Sequence, residues 1–452
     1  MTSVLQNQHV LYPQMNIEYP EITKGDGVYL FDSNNNRYID AAGGPVLCSL
    51  GYGLEEMGDI LRNQSNKLNF SYRMYSTTSE IIDACAKIHH VSGNLLEKTM
   101  IVSGGTEAVE MAAKIARTYH IDNGDPGKYK VIGRWISYHG MSNSTLSWGG
   151  HLGRRKLWQP LLSEHGHIPP AYCYRCWYGK TPESCSLDCA CALEREIQVQ
   201  GPETVSAFIA EPYSGNSLCG AHPQKPGYFQ KIREICDKYN VLMIMDEVMT
   251  GVGRTGDWFA YQGYGVVPDI VTMGKALGGG YFPVGGVGCS AKVSDVIENN
   301  SATFAPGFSW AGNPMAGAVI SATIDYKIRH ELLENVQSMG DYLMKELRTL
   351  ASAHPSIGDV RGKGLLIGIE FVKSKETKEP FDPAIQYQSL LVDACKKNGM
   401  FIQSGSGNID GILGDMLLLG PAYTIRKSEI GEIVDKLDLS LSIVEKQPGI
   451  FD

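Results

Sequence analysis

Five short apolar runs punctuate the first two thirds of the chain: MIV at 100–102, YKVI at 129–132, VSAFIA at 205–210, VLMIM at 241–245 and IVTM at 270–273. Each stops at glycine, an acid or a small polar residue and gives way to a helical pattern. Runs apolar on both faces suit strands buried in a parallel sheet with helices on either side. In such sheets the ligand lies beyond the carboxyl ends of the strands, so the residues just after each run are site candidates. From about residue 320 the pattern changes to long charged helical stretches, 326–349 reading as one helix, followed by a strand-like segment at 365–371. The opening GDGVYLFDSNNNRYIDAAGG at 25–44 reads as short strands joined by an Asn-rich turn, since asparagine tolerates positive φ. The expectation is an α/β chain in three parts. Residues 1–62 form an N-terminal segment packing with the small domain, 63–325 a large domain on a mostly parallel sheet, and 326–452 a smaller α+β domain.

The 452 residues, 43% hydrophobic and 20% charged, suffice for two or three domains with a sizeable core. The formal net charge of −9 has the wrong sign for a nucleic-acid partner. No stretch approaches 18 uninterrupted apolar residues, and the start MTSVLQNQHVLYPQMN lacks the basic and apolar regions of a leader. Neither nucleic acid nor membrane is therefore expected as a partner, and the reading is cytoplasmic. Eleven cysteines, an odd count in a chain too long to need a disulfide framework, agree with a reducing compartment. No repeat of 20–50 residues is visible, which excludes solenoids and propellers.

Three places carry candidate chemistry. The run 241–245 ends in Asp246-Glu247, and a carboxylate there needs a cation or hydrogen bonds. A protonated pyridine nitrogen of a cofactor would serve; the competing reading is an acid that closes the strand and caps the next turn. The run 270–273 leads into Gly274-Lys275-Ala-Leu-Gly-Gly-Gly280. A desolvated lysine there is a nucleophile for an aldehyde cofactor, whereas the plain alternative is a solvated loop lysine. The run 100–102 enters Ser103-Gly-Gly-Thr106 and then EAVEMAAKIARTYH, apolar at Ala108, Met111, Ala112, Ile115 and Tyr119. Open amides at such a helix start favour phosphate; the alternative is an ordinary N-cap. Gly251-Val-Gly-Arg-Thr-Gly256 matches G-x-G-x-x-G, but DWFAYQGYG follows with little helical period, so a dinucleotide site is disfavoured.

A phosphate cradle, a strand-end aspartate and a loop lysine 29 residues later are the three parts needed to hold pyridoxal phosphate. With them the chain resembles the class III (ornithine/ω-amino-acid type) pyridoxal phosphate (PLP)-dependent aminotransferases of fold type I, from about Gly25 to about Ile430. The resemblance is most specific in DEVMTGVGRTG at 246–256 and PDIVTMGKALGGG at 268–280. It implies that Lys275 forms the internal aldimine and Asp246 pairs with the pyridine nitrogen. Gly105 and Thr106 would hold the phosphate. Tyr138, in Tyr138-His139-Gly140, would stack on the ring with Val248 on its other face, and Glu211 would bond near the ring or the substrate path. Ser309, in GFSWAGNP at 307–314, would reach the phosphate of a neighbouring subunit, which implies a homodimer or higher assembly with shared active sites. The activity implied is amino-group transfer from an amine or (ω-)amino acid to a 2-oxo acid through a Schiff base on Lys275. PLP-dependent ammonia- or phospho-lyases and amino-acid epimerases share these residues and stand as the alternative.

The chain departs from the family pattern at several positions. Met249 stands where many members have glutamine. Gln403 occupies a position where an arginine often binds an α-carboxylate, and LLLGPAY at 417–423 lacks one too. Arg154-Arg155-Lys156 reads first as a solvated face and second as a group that binds an acidic substrate. Arg73 and Arg254 are further basic candidates, Arg254 looking structural in its motif. Cysteines 173, 176, 185, 189 and 191 read as a cysteine-rich insertion, with a zinc site the lesser alternative and no metal expected.

Overall fold

The computed structural model describes residues 9–15 and 17–451. The first eight residues, which carry half of the leader reading, lie outside the described residues.

All five apolar runs become strands of one seven-stranded sheet. Its spatial order is Lys98–Val102, Gly285–Cys289, Ile270–Met273, Leu242–Asp246, Val205–Ala210, Lys130–Arg134 and His167–Ile168. Gly285–Cys289 runs antiparallel to both neighbours, and the remaining pairs are parallel. The three central strands are buried at every position. Their side chains alternate between faces: Ala207, Ile209, Leu242 and Ile244 pack with Ala108, Met111, Ala112 and Ile115 of the helix Gly105–Asp122. Phe208, Met243 and Met245 pack with Phe229, Ile232 and Ile235 of the helix Tyr228–Lys238. Two-sided burial is why these strands read as unbroken apolar runs.

The strand Gly285–Cys289 escapes such a reading because GGVGC has almost no β-propensity. Its glycines serve close approach instead: a Cβ on Gly285 would stand 2.3 Å from the Gly104 carbonyl oxygen.

A second, antiparallel sheet follows the order Ile357–Lys363, Leu366–Phe371, Asp415–Leu419, Gln403–Ser406. The opening segment forms the strands Ile22–Asp26, Tyr29–Asp32 and Arg37–Asp40, its tight turn carrying Asn35 at φ 61°. Ile39 and Asp40 pair in parallel with Met400 and Phe401, tying the start of the chain to its last quarter. The stretch 326–349 is not one helix. It divides into Pro314–Arg329 and Leu332–Ala353 at Glu331, whose φ of 49° turns the chain and lets Leu332 bury.

Where the antiparallel sheet meets the cysteine-bearing segment, an ionic cluster closes the gap. Glu370, fully buried, accepts from Arg361 Nη1 at 2.7 Å, Arg175 Nε at 2.6 Å, Asn408 Nδ2 at 3.0 Å and the Tyr172 hydroxyl. Arg361 also donates to the Leu218 carbonyl at 2.8 Å. Burial alone would raise the Glu370 carboxyl, but Arg361 and Arg175 reverse this and hold it below its ordinary value. All eleven cysteines are free thiols. Among the described residues no group of three or more His, Cys, Asp or Glu side chains is placed to hold a metal ion. Removing one member of a buried ion cluster leaves the others uncompensated. Glu370→Leu is therefore expected to lower the unfolding free energy by about 3–5 kcal/mol, read from urea denaturation.

Candidate active site

Beyond the carboxyl ends of the central strands lies a cavity of about 310 Å³, within the range of small-molecule sites. Gly105, Thr106, Tyr138, His139, Glu211, Asp246, Val248 and Lys275 all line it. Ser309, the remaining residue singled out in the sequence, is exposed and not part of its wall.

Asp246 closes the strand Leu242–Asp246 and is held from three sides. Its Oδ1 accepts from Thr272 Oγ1 at 3.0 Å and from the Val248 amide at 3.1 Å, and its Oδ2 meets His139 Nδ1 at 2.7 Å. The capping reading of this carboxylate is thus realised by Oδ1, while Asp246 also lines the cavity and its Oδ2 is taken up by His139. The adjacent Glu247 turns away, accepting from the Tyr261 amide at 2.8 Å and from the Thr250 hydroxyl. Burial pushes its carboxyl up to about 7.

Glu211 follows the strand Val205–Ala210 and fixes the loop that carries the aromatic. Its Oε1 accepts from the Tyr138 amide at 3.1 Å, and its Oε2 from buried Arg134 at 2.9 Å. His139 Nε2 is buried without a hydrogen-bond partner, 4.0 Å from Glu211 Oε2.

Lys275 opens a short helical turn, Lys275–Gly278, with φ 44°. Ala276, Leu277 and Gly278 behind it are buried, so this is no solvated loop, and its remaining exposure is to the cavity. Burial pushes the amine down to about 7; Asp246 opposes the shift, while Arg254 and Arg154 assist it. The left-handed backbone is held by Lys327, fully buried, which donates to the carbonyls of Ala276 at 2.7 Å and Val252 at 2.9 Å.

Opposite the lysine the helix Gly105–Asp122 begins without a side-chain cap at Gly104. A Cβ on Gly105 would stand 2.5 Å from Val248 Cγ1, so only glycine lets this helix start so close to the cavity. Its first-turn amides carry no side-chain cap, and they and the helix dipole would favour an anion there. An anion cradle, a nucleophilic amine and a carboxylate around one cavity match the phosphate, aldehyde and ring nitrogen of pyridoxal phosphate, so the residues present fit that group.

The other basic candidates separate clearly. Residues 251–256 form turns that do not open directly into a helix, the short helix Ala260–Tyr264 starting only after three further residues, and buried Arg254 donates to the carbonyls of Leu365 and Pro421 while stacking on Tyr423 at 4.5 Å. Arg73 binds the carbonyls of Phe304, Ala305 and Pro306 away from the cavity. The solvated face expected at 154–156 is corrected: Arg155 is buried, Arg154 is half-buried, and Lys156 alone is exposed. Met249 lines the cavity. Sequence reasoning missed Thr272, Arg134, Asn216 and Phe282; only Thr272, the one polar residue in IVTM, carries a local signal.

The fold and this constellation define a fold type I PLP-dependent enzyme. Residues 13–441 match the model of the family "Aminotransferase class-III". Putrescine–pyruvate aminotransferase of Pseudomonas aeruginosa is 33% identical, covering 94% of this chain and 91% of its own. Taurine–pyruvate aminotransferase of Bilophila wadsworthia is 34% identical over 98% and 96%. Among solved structures, a PLP-bound amine transaminase from an uncultivated Pseudomonas species superposes with a TM-score of 0.90 at 28% identity, covering 96% of this chain and 99% of that one. The chain belongs to the class III aminotransferases: it is a PLP-dependent transaminase that moves an amino group between an amine or amino acid and a 2-oxo acid.

Two expectations follow from the Lys275 environment. Only a neutral amine attacks an aldehyde, so capture of pyridoxal phosphate by the cofactor-free protein should accelerate as pH rises through about 7 and level off above it. An ordinary lysine would keep accelerating to its own value near 10; stopped-flow absorbance across pH 5.5–10 distinguishes the two. Lys327→Met would strand two buried carbonyls, lowering stability by roughly 2–4 kcal/mol in denaturant unfolding and slowing that capture.

Proposed function

We propose that Lys275 and Asp246 carry the transamination, with Gly105, Thr106, Tyr138, His139, Glu211 and Val248 binding the cofactor. The observation that supports this most is the meeting, in one cavity, of a lysine amine pushed down to about 7, a strand-end carboxylate and an uncapped helix start. When bound, the cofactor supplies an electron sink for the charge left on the substrate carbon. The amides of Gly105 and Thr106 hold its phosphate. Asp246 keeps a proton on the ring nitrogen, and Thr272 and His139 fix the carboxylate for that task. Tyr138 and Val248 would pack against the cofactor ring, and Glu211 sets Tyr138 through its backbone amide. The Lys275 Nζ would take the proton from the amine-bearing carbon as general base and, as general acid, deliver it to the carbon that was the aldehyde of the cofactor rather than to the carbon it left.

The proposal extends to assembly: a homodimer or larger oligomer in which Ser309 of one chain serves the phosphate of another. Ser309 is exposed, and beside it Trp310 packs edge-on against Phe70 at 5.4 Å. Tyr72, Met74 and Tyr75 extend this exposed apolar surface. Part of that face would be covered by the second chain. Among the described residues no helix is long and apolar enough to cross a membrane. With eleven free thiols this supports a cytoplasmic location. The division into 1–62, 63–325 and 326–452 is likewise proposed, supported by the separate sheets.

A single-turnover experiment tests the reading. Holoenzyme mixed with candidate amines, without oxo acid, should yield oxo product and the amine form of the cofactor in equal amounts. Catalytic release of ammonia would mark a lyase instead. Lys275→Ala should reduce turnover by roughly 10²–10⁴-fold, and full activity in that variant would overturn the assignment.

A further inference from the structure

Most charged groups around the cavity already have partners. Asp246 is held by Thr272 and His139, and Glu211 by Arg134. Arg155 is packed away, donating to the Gly149 carbonyl at 3.2 Å and meeting His167 Nε2 at 3.3 Å. Arg154 is different. Its guanidinium carbon lies 4.5 Å from the centroid of the Tyr138 ring. Asn216, with its amide oriented so that both ends are partnered, accepts from Arg154 Nη2 at 2.9 Å through Oδ1 and donates to the Ser404 carbonyl at 2.7 Å. The same Oδ1 accepts from Gln403 Nε2 at 3.3 Å. Tyr138 and Asn216 both line the cavity, so Arg154, which contacts both, lies directly behind its wall, close enough for its charge to act on Lys275.

Among the described residues no carboxylate forms an ion pair with Arg154. A half-buried guanidinium without a counter-charge is costly, and an arginine fork matches a carboxylate or sulfonate with two parallel hydrogen bonds. Gln403 and 417–423 offer no arginine from the C-terminal part of the chain; Gln403 instead helps fix the Asn216 arm that holds Arg154.

We propose that Arg154, set in place by Asn216 and Gln403, is the anion receptor of this active site. It receives the carboxylate of the 2-oxo acid acceptor and, in the other half-reaction, an anionic group at the far end of the amino donor. The proposal rests on the transamination reading above and assigns its substrates to an acidic class.

The test compares wild type with Arg154→Gln, using Lys156→Gln as the exposed control. β-Alanine and butylamine serve as anionic and neutral donors, pyruvate and butyraldehyde as anionic and neutral acceptors. Arg154→Gln should raise KM for β-alanine and pyruvate about 10- to 100-fold, the range for losing a charge-assisted hydrogen bond, with kcat changed less than about threefold. Butylamine and butyraldehyde should be unaffected within about threefold. Equal losses on all four compounds, which is what mere support of Tyr138 would give, or no loss on any, would overturn the proposal. Arg154→Lys keeps the charge and should recover part of the loss. Calorimetry of holoenzyme with propionate, which cannot react, should show binding weakened about tenfold in Arg154→Gln and unchanged in Lys156→Gln; unchanged binding in both sinks the proposal. Wild type that turns over none of these donors while binding propionate through Arg154 would fail the transamination reading and leave the receptor standing.

Discussion

A carboxylate at the end of a fully buried strand is the constraint around which this molecule is arranged. Asp246 cannot rely on water, so its lone pairs must be met by protein. The neighbouring strand supplies Thr272, the following turn supplies the Val248 amide, and the loop after the strand Lys130–Arg134 supplies His139. That loop is pinned in turn by Glu211, which is itself neutralised by Arg134. Each partner comes from a different strand end, so the arrangement exists only when the parallel sheet is complete.

The same economy governs the cations. The Lys275 amine is pushed down to about 7 by burial, with Arg254 and Arg154 adding to the effect and Asp246 opposing it. Its left-handed backbone is sustained by Lys327, whose amine is pushed well below its ordinary value by burial and serves as a donor to two carbonyls. Arg254 holds the carbonyls of Leu365 and Pro421, joining the turn at 251–256 to the connections of the antiparallel sheet. The surroundings of one amine are thus set by two buried basic side chains whose bonds are structural.

Much of the fold was legible because it rests on local chemistry. Two-sided burial made the three central strands readable as apolar runs, and the glycines at 104 and 105 announced a helix start without a side-chain cap. Two elements were not legible. The strand Gly285–Cys289 has its composition dictated by what it must approach, the Gly104 carbonyl, rather than by strand propensity. The break at Glu331 occurs inside a continuous charged pattern because a single left-handed residue can redirect a helix without altering its periodicity.

The sequence by itself determined the α/β class and the family, and it marked the strand-end carboxylate, the loop lysine and the glycine-led helix start that line one cavity, since each is written in one short stretch of chain. Only the tertiary structure decided which oxygen of Asp246 caps a turn and which meets His139, that Glu247 turns away, and that Arg154 faces inward while Lys156 does not. Those outcomes depend on contacts between residues up to about a hundred or more positions apart, such as Arg134 with Glu211 and His139 with Asp246. A residue's neighbours in sequence fix its propensity, whereas its charge, burial and partners are set by the elements that fold against it.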